Sequence, residues 1–167
     1  MTAPIHVLEG LSVRNCTLED AATVATLINL CDEYDGVTPE ESAEHLLQEW
    51  AMPDWDFAKY TRIVHDGAGQ AVAYADFYPR KPHYVHMWVF GRVHPEYRNR
   101  GLGTYLVQWA EAEARELIPL APPDARVSFK SGVVSTIEPA IKLFMDNGMS
   151  LFRSFYQMEI DLAESGP

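Results

Sequence analysis

Arg98, Arg100, Gly101 and Gly103 crowd into one hexapeptide, RNRGLG at 98–103, in a chain of net charge −11. An apolar run, YVHMWVF, precedes it at 84–90, and an amphipathic stretch, LGTYLVQWAEAEARELI, begins at Leu102. A glycine-containing turn between a strand and a helix presents several unpaired N–H groups in one direction. The helix dipole adds about half a positive charge at the same point, and such a mouth binds phosphate. Gly101 and Gly103 would let a ligand approach the backbone without a Cβ in the way. Arg98 and Arg100, with Arg92 nearby, add local positive charge to an acidic chain. The spacing matches neither G-x-x-x-x-G-K-[ST] nor a G-x-G-x-x-G after the first strand, so this is no P-loop and no dinucleotide fingerprint.

Composition narrows the setting. The chain has 167 residues, 47% of them hydrophobic and 22% charged, which suits one domain with a real core. A pI of about 4.8 argues against a nucleic-acid or anionic-membrane binder, because those need a basic face. Cys16 and Cys31 both lie in apolar stretches and read as small buried thiols. Two cysteines make neither a disulfide framework nor a clustered metal site, so no metal is expected. The opening MTAPIHVLEG lacks the features of a signal peptide, and no apolar run approaches the ~20 residues of a membrane span. A cytoplasmic protein with no membrane partner is expected.

Periodicity supplies the elements that must position the glycine-rich turn. LSVRNCT at 11–17 reads as a strand, and Thr17 to Asp20 forms a capping-box pattern that opens a helix. A second helix is expected from Thr38, with Pro39 at its first position and Ala43, Leu46, Leu47 and Trp50 on its apolar face. TRIVHD and AVAYADFY read as strands joined by the DGAG turn at 66–69. The nearly unbroken apolar run 84–90 suits a central strand covered on both faces. A third helix should run from about Leu102 to Ile118 and stop at Pro119. RVSFKSGV supplies a fifth strand, and Ser135 could cap a fourth helix at 137–147 that Gly148 ends. FRSFYQMEIDL alternates well enough for a sixth strand at 152–162. The expected order is β-α-α-β-β-β-α-β-α-β: an α/β chain, α+β-like, with one mixed sheet of about six strands and helices on both faces.

The longer stretch VHPEYRNRGLGTYLVQWAEAEAR, 93–115, closely resembles the acetyl-coenzyme A site of the GNAT superfamily of N-acetyltransferases. That pattern is V-x-P-x-x-R/Q-x-x-G-x-G/A, filled here by Val93, Pro95, Arg98, Gly101 and Gly103. The element order also resembles that family's, so 1–167 is expected to be a single GNAT-like domain with a core at about 11–162. The resemblance implies that the backbone N–H groups of Arg98, Asn99, Arg100, Gly101, Leu102, Gly103 and Thr104 hold the coenzyme's pyrophosphate. It implies that Val93 engages the acetyl–pantetheine arm through its backbone. It also implies that the fourth and fifth strands splay apart around that arm.

The implied activity is attack of a primary amine of a small molecule or peptide on the acetyl-CoA thioester. An ordinary alkyl amine has a pKa of about 10.4 and must first lose a proton. The developing oxyanion needs a donor, and the Val93 N–H is the candidate. Many family members resemble N-x-x-A-x-x-L-Y-x-x-x-G-F in the fourth helix, with the tyrosine as acid. Here IEPAIKLFMDNGM places Ile137 and Phe144 at the asparagine and tyrosine positions. Some members carry a glutamate eleven residues before the Arg98 position, which here is Met87. The adjacent His86 has a suitable pKa, and it is the candidate base if a bulge shifts the strand register. The alternative is a packed histidine. His65, His83 and His94 lie nearer turns and are expected at the surface.

Residues 15–58 hold eleven acids and no lysine or arginine. Asp32, Glu33 and Asp35 would sit between the first two helices, where the family's acceptor side lies, so a cationic acceptor is one expectation and a solvated acidic surface the other. Two rival roles remain open. One is a non-catalytic acyl-CoA-binding module, which Phe144 motivates. The other is a scaffold half of a tandem or dimeric assembly, since the ending SFYQMEIDL resembles halves of tandem GNAT proteins; an edge strand at 152–162 could pair in a homodimer.

Overall fold

The computed structural model describes residues 9–156, 158 and 160. Its strands are β1 (Ser12–Arg14), β2 (Thr61–His65), β3 (Ala71–Tyr78), β4 (His86–Val93) and β5 (Ser128–Lys130). Its helices are α1 (Ala21–Tyr34), α2 (Ala43–Trp50), α3 (Phe57–Tyr60), α4 (Leu102–Leu117) and α5 (Glu138–Asp146). The strands lie side by side in chain order, antiparallel except for the parallel pair β4–β5. This is the expected mixed α/β architecture.

Strand alternation sorts the two faces of the sheet. Val64, Ala73 and Ala75 pack against Leu102 and Leu106 of α4. The α4 stripe of Leu102, Leu106, Ala110, Ala114 and Leu117 recurs every three or four residues, so one side of the helix is buried along its whole length. On the other face Ile63 and Tyr74 join Val24, Leu27, Ile28 and Cys31 of α1 and Leu46 and Trp50 of α2. Each such large side chain, when fully buried, contributes about 1.5–3 kcal/mol. The hairpin before β3 is held by Asp66, whose Oδ1 accepts from the Ala68 and Gln70 amides.

Tertiary contacts moved several expected boundaries. Thr17 and Asp20 do form a capping box, with the Thr17 N–H donating to Asp20 Oδ2 at 2.7 Å. They open a single 3-10 turn that leads into α1. The second helix starts at Ala43 rather than Thr38, capped by Ser42, whose Oγ accepts from the His45 amide. Asn29 holds the preceding stretch out of helix by donating to the Glu41 carbonyl and accepting from the Glu41 N–H. The short α3, capped by Asp56, has no counterpart in the expected order. Ile137, not Ser135, occupies the cap of α5.

Among the described residues the sheet has five strands, one fewer than expected. Of the sixth strand at 152–162, residues 157, 159, 161 and 162 lie outside the described residues, and the others take no strand conformation. Phe152, Phe155 and Tyr156 are exposed. β5 is only three residues long, so that edge offers a poor template for pairing. Cys16 and Cys31 are buried free thiols, as expected. His94 is buried rather than at the surface, its Nδ1 accepting from the Glu96 amide.

Candidate active site

β4 delivers the chain to Val93, a 3-10 turn at Pro95–Tyr97 reverses it, and α4 starts at Leu102. Between them Asn99 (φ 60°) and Gly101 (φ 87°) are left-handed. Asparagine tolerates that conformation and glycine takes it freely. Alternating handedness turns successive amides toward one concavity, the geometry of an anion nest. The first helical bond runs from the Tyr105 N–H to the Gly101 carbonyl, so the amides of Leu102, Gly103 and Thr104 have no intrahelical acceptor. These residues suit a pyrophosphate. Arg100 is exposed and lies over the Tyr97 ring at 4.9 Å.

Arg98 is engaged elsewhere. Its Nη1 and Nη2 donate to Asp35 Oδ1 and Oδ2 at 2.6 and 3.0 Å, and its Nε donates to the Val93 carbonyl at 3.0 Å. The Asp35 carboxylate beside it raises the Arg98 pKa further. Cys31 donates through Sγ to the same Val93 carbonyl at 3.4 Å, and burial pushes its thiol pKa up. Gly103 has a second purpose: a Cβ there would meet Leu143 Cδ2 of α5 at 2.9 Å, so its small size also permits helix packing.

The His94 N–H donates to Val72 of β3. Amides alternate in direction along a strand, so the Val93 N–H points away from β3 toward the other edge of β4. There β5 pairs only with His86, Met87 and Trp88. Beyond Trp88, as far as Val93, that edge of β4 has no strand partner among the described residues.

The face of β4 toward α1 and α2 is less enclosed than the opposite face, and the Arg92 guanidinium lies over the Phe90 ring at 4.4 Å. Met87 and Val89, facing α4, are buried; Trp88 and Phe90 are half-buried. Phe90 stands opposite Asp76 in the β3–β4 register, and Trp88 opposite Tyr78. Asp76 Oδ2 accepts from the Tyr74 hydroxyl at 3.0 Å. Burial pushes the Asp76 carboxyl up to about 7; the Tyr74 hydrogen bond opposes this, Glu49 and Glu41 add to it, and Arg92 opposes it. Arg92 is itself bound to Asp32, Nε to Oδ1 at 2.7 Å.

The Acetyltransferase (GNAT) family profile matches residues 25–124, more than half of the chain. The chain belongs to the GNAT acetyltransferase family. Among solved structures, a GCN5-related N-acetyltransferase from Sphaerobacter thermophilus is 35% identical, with a TM-score of 0.76, over 83% of this chain and 43% of that one. This chain therefore spans less than half the length of that relative. The acetyltransferase yncA of Salmonella typhimurium, solved with its cofactor acetyl-CoA, is 16% identical with a TM-score of 0.67, over 92% of this chain and 87% of its own. The GNAT domain of S. lividans PAT is 20% identical with a TM-score of 0.66, over 92% and 93%. At those two identities the likeness is one of fold. No curated protein matches the chain. No helix among the described residues is long and apolar enough to cross a membrane.

Within this GNAT fold Arg98, of the expected motif residues 98 to 104, is seen in contact with Val93, through its carbonyl. His86 does not join them. The β3–β4 register runs from Ala73–Val93 to Tyr78–Trp88 without the bulge that its role required. It lies seven residues from Val93, about 23 Å along the strand, and its Nδ1 sits 3.0 Å from Ser128 Oγ on an exposed rim. The acidic lobe also differs from expectation, since Asp32 and Asp35 are each spent on an arginine. Asp76 was missed. The signal was in the sequence, a lone acid inside the apolar strand AVAYADFY, where an unpaired charge is costly. Phe144 is partly buried against the core and brings no hydroxyl.

Proposed function

We propose that this chain is an acetyl-CoA-dependent N-acetyltransferase that moves an acetyl group directly to a primary amine of a small molecule or peptide. The observation that carries the reading is the convergence of the free amides of Leu102, Gly103 and Thr104 with the unpaired edge of β4 at Val93. In this reading the amide nest from Arg98 to Thr104 holds the pyrophosphate, and the arm runs between β4 and β5. The Val93 N–H then lies where the thioester oxygen gains charge, and a fixed donor there lowers the barrier because it needs no reorganisation. Arg98 and Cys31 support this by holding the Val93 carbonyl, and with it the peptide plane next to the donor. In this reading the amine enters beside the half-buried Phe90 and Trp88. The yncA complex with acetyl-CoA supports the choice of donor.

Calorimetric titration with acetyl-CoA tests the cradle. Micromolar binding is expected, and Gly101→Asp, checked for folding by circular dichroism, should abolish it. Release of free coenzyme thiol over a panel of amines then tests the transfer. Phe144 favours a second reading, an acyl-CoA-binding module without turnover. Binding with no thiol release on any amine would select that module.

A further inference from the structure

We propose that Asp76 is the catalytic residue that takes the proton from the acceptor's ammonium group, on the less enclosed sheet face between α2 and β4. The proposal deepens the acetyltransferase reading above and rests on it. Asp76 is half-buried in the middle of β3 and stands opposite Phe90, three residues before Val93 on β4. Three residues span about 10 Å of strand. That distance leaves room for the reacting amine and one water between the carboxylate and the Val93 N–H.

The other acids around this face are engaged. Asp32 holds Arg92, and Asp35 holds Arg98. Glu41 Oε1 accepts from His45 Nδ1 and from the Ser42 amide. Glu49 lies 3.9 Å from the other nitrogen of His45. Asp76 accepts one hydrogen bond, from Tyr74, at Oδ2. Among the described residues no cation lies within ion-pair distance of it. A second feature points the same way. Trp50 of α2 is 2% exposed, and its Nε1–H has no hydrogen-bond partner among the described residues. Burial raises the Tyr74 hydroxyl pKa well above its ordinary value, the Asp76 and Cys16 charges add to this, and Trp50 opposes it. A buried donor without a partner costs stability, and Trp50 shares a core cluster with Tyr74, whose hydroxyl donates to the proposed base.

The charged and titratable groups bearing on Asp76 come from several elements. They are Tyr74 on β3, Arg92 on β4, Glu49 on α2 with Glu41 just before it, and Cys16 after β1. Burial and the two glutamates hold its pKa near neutrality, where a general base works best. The ammonium gives one proton to the carboxylate, leaving a neutral amine and a neutral carboxyl. The amine lone pair forms the C–N bond to the acetyl carbon, and the C–S bond breaks with its electron pair on sulfur. The second nitrogen proton passes to that sulfur through water, and Asp76 returns its own proton to solvent. The products are an amide and a free thiol.

The test compares wild type, Asp76→Asn and Asp76→Glu with acetyl-CoA. The amines are spermidine, lysine methyl ester and ethanolamine, and methoxyamine, which is already neutral at neutral pH. Asp76→Asn should lose about 100-fold or more in kcat/KM on the protonated amines. It should keep methoxyamine turnover within about threefold, and it should bind acetyl-CoA like wild type in calorimetry. Asp76→Glu should restore part of the loss. Independently of turnover, the Asp76 carboxyl carbon should titrate near neutral pH by NMR. Wild-type kcat/KM in Asp76→Asn, or titration of Asp76 near pH 4, overturns the assignment to Asp76 alone. A wild type that binds acetyl-CoA and acetylates none of the amines overturns the acetyltransferase reading, and this proposal with it.

Discussion

Arg98 and Asp35 are joined by two parallel hydrogen bonds, at 2.6 and 3.0 Å, that tie the end of α1 to the loop opening α4. The arginine of the glycine-rich motif therefore shapes the site from behind. Its guanidinium holds the Val93 carbonyl and the α1 terminus, and the proposed anion nest consists of backbone.

Asp35→Asn should expose that arrangement. It leaves the Arg98 guanidinium partly buried beside a neutral partner, and a lost charged hydrogen bond costs about 2 kcal/mol. An unfolding free energy from urea titration lowered by that amount is expected, with several-fold weaker acetyl-CoA binding because the peptide plane at Val93 loosens. Unchanged stability would show the pair to be solvated.

Gly101→Val should act on the nest itself. The left-handed conformation at φ 87° costs a side chain about 1–2 kcal/mol. The expected result is that loss in thermal or urea unfolding, with acetyl-CoA affinity down by tenfold or more in calorimetry.

Gly91→Ala and Gly103→Ala should differ in size. A Cβ at Gly91 would sit 2.8 Å from the Tyr74 carbonyl oxygen and 3.2 Å from Ala75 Cβ, both set by the sheet. Overpacking of that kind costs about 1–3 kcal/mol. At Gly103 the obstacle is the end of a Leu143 side chain, which can rotate away. Urea unfolding should rank Gly91→Ala as clearly the less stable.

Two carboxylates should give stability opposite pH dependences. The hydrogen bonds and charge of Arg14 hold the Asp20 carboxyl down at about 2. Its folded pKa lies below its unfolded one, so its contribution is present above about pH 4 and fades as pH falls toward 2. Asp20→Asn should flatten that acid limb. Asp76 is the reverse, since its folded pKa of about 7 lies above its unfolded one. Its neutral form favours the fold below about pH 4, and that advantage is lost as pH rises through 7. Asp76→Asn should therefore melt above wild type at about pH 8 and close to it at about pH 4, which differential scanning calorimetry at the two pH values can read.

Much of the fold was legible because its signals are local. The DGAG turn, the capping box at Thr17 and Asp20, and the stripe of α4 each lie within a few residues of chain. The five-residue error at the start of α2 arose because Asn29, twelve residues before Glu41, supplies the bonds that keep that stretch extended. The sixth strand was expected from alternation alone, yet alternation makes a strand only where a neighbour is there to pair with it.

By itself the sequence determined the glycine-rich junction at 98–104, the proposed phosphate site, since spacing, glycine and helix start coincide within one turn. It also determined the family. Only the tertiary structure decided what the charged side chains do. Arg98 meets Asp35 across 63 residues and Arg92 meets Asp32 across 60, and Asp76 reaches its place opposite Phe90 only through the β3–β4 register. A charge's partner and its pKa depend on burial and on neighbours from distant segments, and no local pattern of residue types encodes them.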